Sequence, residues 1–340
     1  MKNILGIPKI SVVIIGRNEG ERLIRCIKSV QEMYPHGGEV ELIYVDTSST
    51  DGSPRHAADL GARVICLQPA RPCAAVARNA GWRLATGPLV LFLDGDTILH
   101  SDFVVNVFPL FADSTVAVVC GQRREIDLES SVFNRVLDLD WVNPPGPIDY
   151  CGGDAMIRRT VLEEIDGYDE TLIAGEEPDM CRRMREKGYI IQQVDKPMTD
   201  HDLAIHQWGQ YWRRATRTGH AYAEVSARYR NTAFPLWARE SRQNVIRGLG
   251  LLLLGPTAMI AAALWQSWML ALAVVGIYVG LVLRSAYKFR WKGAGLGTML
   301  LYGVHSHLQQ IPILLGQLTY WKKRRAGGRQ SLIEYKEVST

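Results

Sequence analysis

The chain has 340 residues, with 39 Lys+Arg, 35 Asp+Glu and 47% apolar content. That length allows one large domain or two smaller ones, and a charged fraction of 22% alongside 29 aromatics excludes disordered, collagen-like and low-complexity chains. The net charge of +4 conceals an asymmetry: residues 1–200 carry 21 basic and 30 acidic side chains, residues 201–340 carry 18 and 5. An acidic front half argues against nucleic acid as a partner, whereas a basic, apolar back half suits an anionic membrane face. Cysteines 26, 66, 73, 120, 151 and 181 form no C-x-x-C pair, which argues against a zinc cluster and fits a reducing cytosol. Met1 to Pro8 reads as too short for a signal peptide and runs straight into a strand-like segment.

The first 200 residues alternate between strand and helix patterns. Ile10–Ile15, Glu41–Val45, Val64–Leu67 and Leu89–Leu93 read as buried strands. Glu21–Gln31, Pro54–Leu60 and Ala74–Ala85 read as the helices between them, which predicts a mostly parallel α/β sheet. Ligands of such sheets bind beyond the carboxyl ends of the strands. Polar clusters fall there: Arg17-Asn18-Glu19, the run from Asp46 to Gly52, and Asp94-Gly95-Asp96. The last triplet emerges from apolar Leu91-Phe92-Leu93 and offers two carboxylates for a divalent cation and a ribose. A plain turn uses the same residues.

Asn18-Glu19, Val45-Asp46-Thr47-Ser48-Ser49-Thr50-Asp51-Gly52, Ala77-Arg78-Asn79-Ala80-Gly81 and Leu91-Phe92-Leu93-Asp94-Gly95-Asp96 follow one another in order. With them, residues 8–215 resemble glycosyltransferase family 2, whose GT-A fold is Rossmann-like and binds nucleotide sugars. The resemblance implies a nucleotide-diphosphate sugar donor held by Arg17, Asn18, Glu19, Asp46, Arg78, Asp94 and Asp96. It also implies Mn²⁺ or Mg²⁺ as cofactor, with Asp96 and Asp94 as ligands and His201 as a candidate third. The strand Cys151-Gly152-Gly153-Asp154 resembles the acceptor side, and Gly175-Glu176-Glu177-Pro178-Asp179 the catalytic segment, with Glu177 and Glu176 as catalytic candidates. Two departures stand out. Asp46-Thr47-Ser48-Ser49 replaces the usual Asp-Asp-Gly-Ser, and Glu176-Glu177 replaces Glu-Asp.

The chemistry also follows from the residue types. A cation held by Asp96 would stabilise the charge gained by a leaving diphosphate, and Arg78 could add a fixed charge near the nucleotide. A carboxylate takes the acceptor hydroxyl's proton. Asp179–Lys187 reads as a helix stopped by Gly188, so Glu176 and Glu177 sit at a helix N-terminus, as base or as caps. A single displacement with one base inverts the anomeric centre. Past a strand at Tyr189–Val194, Gln210-Tyr211-Trp212-Arg213-Arg214 resembles the Q-x-x-R-W block of processive synthases, with Arg in place of the final Trp. Trp212 and Arg213 are therefore acceptor-side candidates. Trp208, Tyr211 and Trp212 can equally serve as helix packing, and Arg213, Arg214 and Arg217 as a solvated basic face.

From Gly248 to Leu283 there are 36 residues without a charge. Leu249–Trp265 and Trp268–Leu283 read as two short spans around a Trp-Gln-Ser-Trp tip, and Arg239, Arg242, Arg247, Arg284, Lys288, Arg290 and Lys292 put both flanks in the cytoplasm. Gly293–Trp321 contains His305, His307, Gln309, Gln310 and Pro312 and reads as an interfacial or re-entrant helix pair, its histidines on a polar face. The predicted organisation is a GT-A catalytic domain at 1–235, a transmembrane helical hairpin at 236–292, and interfacial helices with a basic tail at 293–340. The expected function is a multi-pass inner-membrane inverting glycosyltransferase with its catalytic domain in the cytoplasm. Its acceptor is a lipid-linked or saccharide hydroxyl, its other partners are membrane lipids, and its oligomeric state is not legible. A polyprenyl-phosphate glycosyltransferase and a non-catalytic nucleotide-sugar-binding subunit are the alternatives.

Overall fold

The computed structural model describes residues 7–33 and 39–327, and the sequence readings on the first residues and on the tail after Gly327 lie outside them. The chain divides into two compact units. Among the described residues, the first comprises those up to Asp127 together with Trp141–Ala204, and the second comprises Leu128–Asp140 and 205–327.

The first unit is built on one mixed sheet. Its strands are β1 (Ile10–Gly16), β2 (Val40–Thr47), β3 (Arg63–Leu67), β4 (Leu89–Asp94), β5 (Thr97–Leu99), β6 (Val116–Glu125), β7 (Gly146–Pro147), β8 (Ala155–Arg158) and β9 (Ile190–His201). The order is β3-β2-β1-β4-β8-β6-β9-β5, with β7 beside β9. Strands β3, β2, β1 and β4 run parallel, as do β6 and β9, so most of the paired length is parallel. β8 lies antiparallel between β4 and β6. Helices α1 (Glu21–Glu32), α2 (Ser53–Asp59) and α3 (Ala74–Trp82) link the first four strands. Val12, Val13, Ile14, Ile43, Val45, Leu91 and Phe92 are fully buried, which is why these strands read as unbroken apolar runs. Helices α4 (Phe103–Val107), α6 (Arg159–Glu164) and α7 (Glu176–Glu186) follow in this unit, and α5 (Val132–Trp141) belongs mostly to the second.

Parallel register places the polar loops side by side. Gly16 pairs with Asp46 and Ile15 with Asp94, so the ends of β2, β1 and β4 form one rim. β9 runs on past the expected Val194 to His201, although 195–201 carries no apolar alternation. Pairing with β5 and β6 extends it, since a strand's context outweighs its intrinsic preference.

The second unit is helical: α8 (Trp208–Tyr229), α9 (Ala238–Leu264), α10 (Met269–Lys288), α11 (Leu296–Leu308) and α12 (Gln310–Arg325), with most of α5. The sequence groups α8 with the front domain, whereas packing groups it with the helices that follow. The reason is a glycine crossing. A Cβ on Gly219 would meet the Ile313 carbonyl oxygen at 2.0 Å, and one on Gly316 would meet the Thr216 carbonyl oxygen at 2.0 Å. The two backbones touch there, as small residues permit. Gly219→Leu is therefore expected to drive α8 and α12 apart and lower the thermal midpoint of the detergent-solubilised chain by many degrees, while Thr218→Ala, one residue away, changes it little.

α9 and α10, of 27 and 20 residues, are long and apolar enough to cross a membrane. The Trp265–Trp268 turn joins them, and Ile260, Leu264, Met269 and Leu272 stand exposed along the hairpin. α11 and α12 are the helix pair read in 293–321, but His305 does not lie on a polar face. It is buried, with Nδ1 2.9 Å from the Tyr211 hydroxyl and Nε2 3.2 Å from Asp140 Oδ2. Asp140 also accepts from the Tyr302 hydroxyl at 3.0 Å. Satisfying polar groups inside the unit outweighs exposing them.

Candidate active site

The rim is knitted together before any ligand is considered. Asn18, at φ +55°, donates its backbone N–H to Ser49 Oγ at 2.8 Å, and its side-chain oxygen accepts from the Thr50 N–H at 2.7 Å. Asp46 is buried; Oδ1 accepts from the Tyr44 hydroxyl at 2.9 Å and Oδ2 from the Ser49 N–H at 2.8 Å. Thr47, Ser48 and Ser49 thus still form a loop closed by Asp46, despite the altered motif. Glu19 pairs with Arg22 at 2.9 Å, and its Cγ lies 3.2 Å from where a Cβ on Gly95 would be, so the first loop leans on the Asp94–Asp96 turn. Arg17 stands exposed beside it.

Asp94 and Asp96 separate in role. Asp94 ends β4 and faces two arginines: Oδ1 is 2.9 Å from Arg78 Nη2, and Oδ2 is 3.4 Å from Arg123 Nη1. Burial alone would raise its pKa, but the two guanidiniums prevail and hold the carboxyl below the usual range. Asp154 supports it from behind, accepting the Asp94 N–H at 2.9 Å and the Thr199 hydroxyl at 2.7 Å. Burial raises the Asp154 carboxyl's own pKa. Gly153 lets this strand lie against Asp94: a Cβ there would sit 2.6 Å from Arg78 Nη2 and 2.7 Å from Asp94 Oδ2. Gly152, next to it, has open space around its Cα.

Arg78 carries the most connected side chain of the site. Buried on α3, it joins Asp94 to Glu177 (Nη1 to Oε1, 2.9 Å) and to Glu176 (Nη1 to Oε1, 3.2 Å). Read from sequence as a charge beside the nucleotide, it spends its donors on three carboxylates. Both glutamates open α7, where the helix dipole favours negative charge. Their environments differ. Side-chain exposure is 17% for Glu177 and 6% for Glu176. Burial, then the neighbouring Glu176, push the Glu177 carboxyl up to about 7 against the pull of Arg78. A carboxyl near 7, mostly buried at a helix end but still reached by solvent, is suited to take a proton at neutral pH.

The fourth part lies where β6 and β9 end and β5 begins. His201 Nε2 is 3.2 Å from Asp96 Oδ2, and both side chains are 5% exposed. His201 Nδ1 is buried and makes no hydrogen bond. A hard carboxylate oxygen and an imidazole nitrogen at this spacing can ligate one Mn²⁺ or Mg²⁺ at adjacent positions. Among the described residues no group of three His, Cys, Asp or Glu is arranged to hold a metal ion, so the fit is to a cation that takes its other ligands from water or substrate phosphates. Asp94 belongs with the arginines instead. Trp212 and Arg213 lie on α8 in the helical unit.

Arg123, Glu125 and Trp141 are additions that sequence reading missed. Arg123 also lies 3.5 Å from Asp154 and over the Trp141 ring at 5.1 Å, while Trp141 meets His201 edge-on at 4.8 Å. They sit in a polar run and at a helix end with no motif around them.

Comparison with known proteins finds relatives of the sequence and of the fold. The family model described as Glycosyl transferase family 2 matches residues 11–166. The pre-mycofactocin glycosyltransferase of Mycobacterium tuberculosis is 27% identical over 242 residues, covering 67% of this chain and 49% of that protein. The beta-monoglucosyldiacylglycerol synthase of Nostoc sp. is 23% identical over 223 residues, covering 60% of this chain and 47% of that protein. The chain thus spans about half the length of these curated relatives. Among solved structures, the mannosyltransferase PcManGT from Pyrobaculum calidifontis, in complex with GDP-Man and Mn²⁺, superposes with a TM-score of 0.58 at 21% identity, covering 88% of this chain and 86% of that one.

Proposed function

Because residues 11–166 are a glycosyl transferase family 2 domain on a GT-A fold, we propose that this chain is a membrane-anchored inverting glycosyltransferase. It moves a sugar from a nucleotide-diphosphate donor to a hydroxyl of a lipid-linked or saccharide acceptor, in cell-surface or exopolysaccharide assembly. The observation that carries the reading is the Arg78 bridge, which ties the donor-side carboxylate Asp94 to a carboxyl poised near neutrality on α7.

Each residue's work follows from its surroundings. The loops closed by Asn18 and Asp46 receive the nucleoside, with Arg17 and Glu19 at their edge. Arg78, Arg123 and Asp154 hold Asp94 in a fixed orientation toward the donor. Asp96 and His201 would hold a divalent cation, which when bound supplies charge stabilisation to the leaving diphosphate. Glu177 takes the proton from the acceptor hydroxyl as that oxygen attacks, and Glu176, more deeply buried, keeps the Glu177 pKa high by repulsion. One base and one displacement give inversion at the anomeric carbon. A lipid phosphate is already ionised and needs no base, so Glu177 favours a hydroxyl acceptor.

Basic residues flank both ends of the α9–α10 hairpin, a pattern that supports reading both ends as cytoplasmic, and with them the catalytic domain, at the inner membrane. Membranes containing the chain, incubated with a panel of UDP- and GDP-sugars and native lipids, are expected to release nucleotide from one donor when Mn²⁺ or Mg²⁺ is added. Asp96→Ala lowers that release at least ~10²-fold, in line with loss of a group that stabilises developing charge. Release that persists undiminished with chelator in both proteins would sink the reading.

A further inference from the structure

We propose that Glu125 is a positioning residue that acts through His201, keeping the imidazole proton on Nδ1 so that Nε2 faces the cation site. This rests on the reading of Asp96 and His201 as the residues that hold a divalent cation. Glu125 ends β6 in register with His201 on β9, and the Ile126 N–H donates to the His201 carbonyl at 3.0 Å. On the other side His201 pairs with Thr97 of β5, and the Asp202 N–H donates to the Asp96 carbonyl at 3.0 Å. Three strand ends thus fix the backbones of Glu125, His201 and Asp96 against one another.

The side chains continue this alignment. His201 Nε2 lies 3.2 Å from Asp96 Oδ2, while Nδ1 lies 3.8 Å from Glu125 Oε2. Trp141 packs edge-on against the ring at 4.8 Å and limits its swing. Glu125 is itself anchored: Oε2 accepts the Leu203 N–H at 3.1 Å and Oε1 the Asp127 N–H at 3.3 Å. Two backbone donors hold the carboxylate in place. A neutral imidazole has one N–H, and the nitrogen without it is the one able to ligate. An ionised carboxylate only accepts, so without a cation Asp96, the nearer carboxylate, competes for an Nε2–H; a ligating Nε2 would carry no proton, and the fixed Glu125 carboxylate facing Nδ1 favours the Nδ1–H form that ligation requires. At 3.8 Å the influence is one of charge rather than of a formed hydrogen bond.

The experiment uses the full chain in detergent with Mn²⁺ alone, no donor present, and follows the free ion by its electron paramagnetic resonance signal. Glu125→Met keeps the volume and removes the acceptor; it is expected to weaken Mn²⁺ binding ~10–100-fold, the usual cost of losing a partner behind a ligating histidine. Glu125→Gln, which retains an acceptor oxygen, is expected to restore most of that affinity. A Met variant that melts earlier but binds Mn²⁺ as tightly as the parent overturns the proposal, because a role confined to holding Leu203 and Asp127 moves stability and not affinity. Nitrogen-15 spectra of labelled histidine, recorded on the unmodified protein with saturating diamagnetic Mg²⁺, give a second readout: His201 protonated at Nδ1 supports the proposal, and protonation at Nε2 overturns it even if the Met variant fails to fold. His201→Ala separates the two layers, since unchanged Mn²⁺ affinity in that variant removes the cation site itself, whatever Glu125 does.

Discussion

Glu177→Gln is expected to lower kcat ~10²–10⁴-fold, the range for removal of a general base, with the donor's Kd almost unchanged. The substitution keeps shape and leaves Arg78 an oxygen to bond, so the loss isolates proton transfer. Burial and the adjacent Glu176 place the carboxyl at about 7, and only its ionised form accepts a proton. The rate of the unmodified enzyme should therefore climb with pH through a midpoint of about 7, and the Gln variant should lack that limb. Stability runs the other way. The folded pKa lies above the value of 4.5 for an unperturbed glutamate, so between these values the folded chain holds a proton that the unfolded chain has released. Stability falls as pH rises through that window, and Glu177→Gln should melt higher than the parent at pH 8 but not at pH 4. Full transfer by the Gln variant onto a lipid phosphate would replace the hydroxyl acceptor with an ionised one.

Arg78→Met should be the most destabilising single change in the first unit. Arg78 is 3% exposed and faces Asp94, Glu176 and Glu177. Removing one partner of a buried charge pair typically costs ~3–5 kcal/mol, because the remaining charges stay desolvated without compensation. Here three carboxylates lose one cation, and among the described residues only Asp94 retains a second arginine within reach, Arg123 at 3.4 Å. Urea unfolding of the full chain measures the loss. Adding Glu177→Gln to Arg78→Met should recover part of it, since neutralising an acid relieves the repulsion that the arginine no longer offsets. A single variant within 1 kcal/mol of the parent would mean that water reaches these carboxylates and that the bridge is not a connected unit.

Local sequence determined the frame. Apolar runs at Ile10–Ile15 and Leu89–Leu93 require strands buried on both faces, the polar clusters after them require loops at the strand ends, and the uncharged stretch from Gly248 to Leu283 requires helices that turn once between two tryptophans. Asp94-Gly95-Asp96 and Glu176-Glu177 were visible because each sits next to a clear boundary, a strand end and a helix start.

Partnerships were decided only by the tertiary structure. No periodicity shows that Arg78 bonds two glutamates almost a hundred residues away, that Glu125 lies beside His201, or that Trp141 rests on the same ring. The run Gln122-Arg123-Arg124-Glu125 has the composition of a solvated edge, yet pairing with β9 buries its last residue. His305, in a segment that reads as half-polar, meets Asp140 and Tyr211 inside the helical unit. The physical reason is range. Apolar patterning and turn chemistry act over a few residues and are written locally, whereas the charge of a buried carboxylate is set by whichever distant group the folded chain brings within a few ångströms.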